Sequence, residues 1–114
     1  MRLLVDAGAD KDKANRFGEP PLHVASQYGH LEVVRVLVDA GADKDKARNT
    51  GGVTPLYVAC QNGHLEVVRL LIEAGADMDM AVNTGGGAVT PLWIARRRDH
   101  DDIVEILQRA GATR

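Results

Sequence analysis

At 114 residues the chain is sized for one small domain, and a composition 45% apolar and 26% charged, with only 4% aromatic, is that of a globular protein packed through aliphatic side chains. The formal net charge of −2 sets up no global field to recruit nucleic acid or an anionic membrane, so neither is expected as a partner. No apolar run approaches the roughly 20 residues of a membrane span, the opening Met1-Arg2-Leu3-Leu4-Val5-Asp6 is too short for a secretory signal, and a lone cysteine, Cys60, excludes an internal disulfide and points to a reducing, intracellular and cytoplasmic setting.

In chain order, residues 1–14 open with "RLLVDAGAD", which reads as the end of a helix closed at Gly8. "GADKDKA" follows. Alternating Asp and Lys have no apolar face, so this stretch is not a buried strand but the start of a projecting, solvated hairpin. Residues 15–47 form a fuller unit. "PLHVASQY" at 21–28 reads as a short helix, because proline suits the first turn, where its missing N–H has no partner to lose. Gly29 reads as its C-cap. "HLEVVRVLVDA" at 30–40 reads as a second helix closed by Gly41, with Leu31, Val34, Leu37 and Val38 on one face. Glu32, Arg35 and Asp39 fall elsewhere, where each i, i+3 or i+4 pair adds a few tenths of a kcal/mol.

Residues 48–81 say the same thing again. "ARNTGGVTPL" supplies glycines for a loop tip, "PLYVACQN" precedes Gly63, and "HLEVVRLLIEA" keeps the charge layout through Glu66, Arg69 and Glu73. Residues 82–114 give a third copy, with "AVNTGGGAVTPL", then "PLWIARRR" before Asp99, then "HDDIVEILQRA" carrying Ile103, Val104, Ile106 and Leu107. The phasing is strict. Gly8, Gly41 and Gly75 each begin Gly-Ala-Asp at separations of 33 and 34; Pro21, Pro55 and Pro91 each begin Pro-Leu at separations of 34 and 36, and so do His30, His64 and His100. Only the stretch between Gly-Ala-Asp and Pro-Leu varies in length, which marks it as a surface loop. One helix pair cannot bury its apolar face alone, whereas stacked copies bury it against each other, so the repetition is a packing solution.

"GVTPLYVACQNGHLEVVRLLIEAGAD" at 52–77 closely resembles the ankyrin repeat, and the resemblance covers nearly the whole chain. It implies an all-α solenoid of stacked helix-turn-helix units with projecting hairpin loops. The units would be a partial repeat at 1–14, repeats at 15–47 and 48–81, and a C-terminal repeat at 82–114. The partial repeat lacks its first helix, so the chain is expected to be a piece of a larger protein or a longer array. Pro20 replaces the family threonine, and Tyr57 and Trp93 replace the family histidine that His23 retains, so the side-chain bracing of that corner is expected to change in every copy. Arg96, Arg97, Arg98, Asp99, Asp101 and Asp102 give the last repeat the look of a polar end cap, its arginines partly neutralised by the three aspartates. The alternative reading of Arg96, Arg97 and Arg98 is a contact for an acidic protein, ahead of nucleic acid, which needs a broader basic stripe.

Candidate chemistry does not converge. His30, His64 and His100 sit one repeat apart, roughly 10 Å along the stack, too far for one ion's coordination shell. They read as linker residues. Cys60 occupies the place of Ser26 in the preceding copy and reads as a packed small side chain, not a nucleophile. The glycine runs at 51–52 and 85–87 lack the Lys-Ser/Thr of a phosphate loop. Met78 and Met80 replace lysines of the earlier copies and read equally as adaptable contact surface or as drift on an exposed strand. No catalytic residue, metal or cofactor is expected. What the resemblance implies is a non-catalytic protein-binding scaffold that recognises a protein through its concave face. Mapped by position, that face would hold Arg16, Phe17, Glu19, Gln27 and Tyr28 in the first unit, Asn49, Thr50, Val53, Gln61 and Asn62 in the second, and Asn83, Thr84, Arg97 and Arg98 in the third. Exposed aromatics such as Phe17 and Tyr28 are the best hot-spot candidates. The alternative is a structural spacer within a longer array, with no partner of its own.

Overall fold

The computed structural model describes residues 19–43, 53–79, 81–83 and 87–112. Within them the chain is mostly helical: α1 (Pro21–Gln27), α2 (Leu31–Asp39), α3 (Pro55–Asn62), α4 (Leu65–Glu73), α5 (Pro91–Arg97) and α6 (Asp101–Arg109). Each odd-numbered helix packs on the even one that follows it. The pairs then stack in register, α1 on α3 on α5 and α2 on α4 on α6. The expected all-α repeat architecture is the one observed. It carries one addition, a two-residue antiparallel ladder between β1 (Val82–Asn83) and β2 (Ala88–Val89), in which Val82 faces Val89. No described helix is long and apolar enough to cross a membrane.

All six helices terminate in one way. The N–H two or three residues past the helix end bonds back to the carbonyl five residues earlier: His30 to Ala25, Ala42 to Leu37, His64 to Ala59, Ala76 to Leu71, His100 to Ala95 and Ala112 to Leu107, at 2.9–3.0 Å. That closure needs a left-handed residue in between. Glycine supplies it five times; at the end of α5 it is Asp99, at φ +60. Aspartate is among the few side chains that tolerate this conformation.

The helix starts divide. Thr54 and Thr90 cap α3 and α5, their Oγ1 atoms accepting from Tyr57 N–H at 3.2 Å and Trp93 N–H at 3.3 Å. Such caps contribute about 0.5–2 kcal/mol. Because the bond goes to backbone, replacing histidine by Tyr57 or Trp93 does not remove it, and the threonine bracing survives in two of the three copies. Pro20 has no such side chain, and α1 begins without a side-chain cap. In that copy the fully buried His23 instead sets its Nε2 3.8 Å from Glu19 Oε2.

The core runs along the seam between the two helix layers. Leu22, Leu56 and Leu92 recur at one register of the first helices, and Val34, Val68 and Leu71 with Ile103 and Leu107 fill the second. Cys60 and Ser26, at one register of α3 and α1, are wholly buried. Burial raises the Cys60 thiol pKa well above its ordinary value. Met78 is half-buried against the same core, so it belongs neither to a free contact surface nor to an exposed strand. Met80 lies outside the described residues. On the outer side of α5 and α6 the pattern turns polar. Arg96 stands where Ser26 and Cys60 are buried, Asp101 where Leu31 and Leu65 are half-buried, and Gln108 where Val38 and Ile72 are half-buried, and all three polar side chains are exposed.

Candidate protein-binding face

The first helices lie side by side, so equivalent residues form rows across the stack. Gln27, Gln61 and Arg97 make one row; Tyr28, Asn62 and Arg98 make the next. In the second row every side chain is exposed; in the first, Arg97 is exposed and both glutamines are half-buried. Tyr28 is 62% exposed, more than Tyr57 or Trp93, and its ring stacks on His30 with centroids 6.0 Å apart.

The backbone beneath these rows is stitched across unit boundaries by the linker histidines. His64 Nε2 donates to the Gln27 carbonyl at 3.0 Å, and Asn62 Nδ2 donates to the same oxygen at 2.9 Å. One unit on, His100 Nε2 donates to the Gln61 carbonyl at 3.2 Å. The imidazoles are therefore committed to joining repeats. Asn62 divides its amide between that seam and the surface.

At the far end, Trp93 is 44% exposed and lies under the Arg97 guanidinium, 5.8 Å from Cζ to the ring centroid. Tyr57 holds the same register in α3 and is buried, as is His23 in α1. Burial pushes the Tyr57 hydroxyl pKa up, and the nearby Arg98 charge pulls it part of the way back. Trp93 thus occupies a core register that nothing described covers.

Of the residues expected on the binding face, Glu19, Gln27, Tyr28, Gln61, Asn62, Arg97 and Arg98 lie at or beside the ends of the first helices with at least part of their surface open. Val53 does not. It is only 8% exposed and belongs to the core, because an aliphatic side chain just before the Thr54 cap turns inward as the loop enters α3. Asn83 lies on β1. Arg16, Phe17, Asn49, Thr50 and Thr84 lie outside the described residues. Trp93 was absent from the expected set. Its signal was a tryptophan at a position that is buried in the two preceding units, in a unit whose other boundary positions are polar.

A comparison with curated proteins finds no match. A sequence profile described as ankyrin repeats (3 copies) matches residues 1–82 and 46–113. Ankyrin repeats serve in general as protein–protein interaction modules and are typically non-catalytic. Three stacked helix pairs, alike in cap, core register and linker histidine, agree with a profile that spans almost the whole sequence: the chain belongs to the ankyrin repeat family.

Proposed function

We propose that the chain is a non-catalytic binding module of the cell interior, with units at 15–47, 48–81 and 82–114 after a half-repeat at 1–14, and that it presents the ends of its first helices to a protein partner. One observation carries this reading. The positions that hold the stack together are near copies from unit to unit, but the exposed row at the first-helix ends reads Tyr28, Asn62, Arg98. An aromatic at Tyr28 and a cation at Arg98, in copies of one exposed position, suit a recognition surface better than a spacer, while Asn62 also serves the seam through its bond to the Gln27 carbonyl. Tyr and Arg are also the side chains that most often dominate interface energetics. Loop residues such as Arg16, Phe17, Asn49 and Thr50 would extend the face.

The test is a pull-down with the wild type and with the Phe17→Ala/Tyr28→Ala double variant, followed by titration of the recovered partner. About tenfold weaker binding by the variant is expected, a little over 1 kcal/mol. A partner that binds both alike would place recognition away from Phe17 and Tyr28, and no partner at all favours the spacer.

A further inference from the structure

The charges of the described helices are segregated by layer. α1 and α3 contain no Asp, Glu, Lys or Arg, and α5 contains Arg96 and Arg97, with Arg98 next in the chain. Every carboxylate of the six described helices sits on α2, α4 or α6. The arginines of that second layer are already paired: Arg35 with Glu32 at 4.0 Å, Arg69 with Glu66 at 3.7 Å, Arg109 with Glu105 at 2.6 Å. Arg96, Arg97 and Arg98 are exposed, and among the described residues none of them forms an ion pair, not even with the adjacent Asp99.

One of these cations also sits beside an aromatic ring. Arg97 rests over the Trp93 ring, with its Cζ 5.8 Å from the ring centroid, and its guanidinium is exposed to solvent, where a carboxylate can reach it. Arg98 lies close enough to Tyr57 for its charge to act on the hydroxyl there. The result is a compact cationic end on a face whose first two helices carry no charge, with an exposed indole beside Arg97.

We propose that the partner segment received by this face is acidic: Asp or Glu carboxylates seat on Arg97 and Arg98 while an apolar side chain rests on Trp93. The proposal rests on the reading of this face as a protein-binding surface. Charge complementarity selects the occupant, since free arginines meet no competing carboxylate on their own layer. Nucleic acid fits less well. A phosphate backbone needs cations repeated along its length, and α1 and α3 contribute none.

The experiment selects random displayed peptides on the wild type and on the Arg97→Glu/Arg98→Glu variant, with folding of both checked by circular dichroism. Peptides enriched on the wild type should be rich in Asp and Glu. A synthetic peptide from that set should shift the fluorescence of Trp93, the single tryptophan. Its affinity should fall about tenfold or more when its acids become Asn and Gln, and as much in the Arg97→Glu/Arg98→Glu variant. Arg35→Glu/Arg69→Glu, on the opposite layer, should change it little. Selected peptides that are neutral or basic yet lose affinity in Tyr28→Ala would overturn the acidic partner and leave the binding face standing. No enriched peptide, or peptides indifferent to both Tyr28→Ala and Arg97→Glu/Arg98→Glu, would overturn both. A uridine oligomer that outcompetes the acidic peptide would replace the protein partner with RNA.

Discussion

His64 lies against Gly29 so closely that a Cβ on the glycine would stand 2.6 Å from the His64 Nδ1, while the opposite ring nitrogen donates to the Gln27 carbonyl. Gly63 and His100 repeat the relationship at 2.9 Å to the His100 Cε1. The second and third units thus each lay an imidazole across the left-handed glycine that ends the preceding first helix, and glycine is required there twice over, for its φ and for its missing side chain.

Gly29→Ala should therefore cost more than a left-handed alanine alone. Gly75→Ala is the control: its φ is also positive, at +91, but a Cβ there meets nothing within 4 Å. The backbone penalty common to both is about 1–2 kcal/mol. Crowding His64 should add about 1 kcal/mol or more in Gly29→Ala. Urea unfolding of both variants checks this, and equal losses would mean that the ring moves aside freely.

Asn62 and His64 share one acceptor, so their deletions should not add. Either single alanine leaves the Gln27 carbonyl with one donor and should cost about 0.5–1.5 kcal/mol. The double variant strips that oxygen and should exceed the sum of the singles by about 0.5 kcal/mol or more. A strictly additive cycle would show that solvent replaces both donors.

Core and surface should separate cleanly. Leu71 is fully buried, and Leu71→Ala should cost about 2–5 kcal/mol through lost burial and a cavity. Tyr28→Ala should stay within about 0.5 kcal/mol, as surface substitutions do. Thermal melts decide it; comparable losses would place Tyr28 in the packing.

Much of this was legible from spacing. The Pro-Leu, Gly-His and Gly-Ala-Asp landmarks mark all six helices to within about a residue, because proline, the helical period and left-handed glycines are local signals. What escaped depends on neighbours. Val53 sits in a loop by sequence, yet turns inward before a threonine cap. Tyr57 and Trp93 share a register and differ in exposure because α5 covers one and nothing described covers the other. Met78 replaces a lysine and finds the core nearby. The reach of His64 to Gln27 joins residues 37 apart, a distance no local pattern reports.

Cys60 offers a reporter of opening. It is wholly buried in the core of the stack, and burial holds its thiol in the unreactive protonated form. Labelling by a thiol reagent should be slow in the native protein and should speed up in Leu71→Ala by about tenfold for each 1.4 kcal/mol of lost stability. Rapid labelling of the wild type would contradict that burial.

The central claim is that recognition uses the ends of the first helices. An amide-resolved NMR titration of the labelled protein with a selected peptide tests it most directly. The largest shift changes should fall at Tyr28, Asn62, Trp93, Arg97 and Arg98. Changes confined instead to the outer surface of the second helices, around Arg35, Arg69 and Glu105, would contradict it.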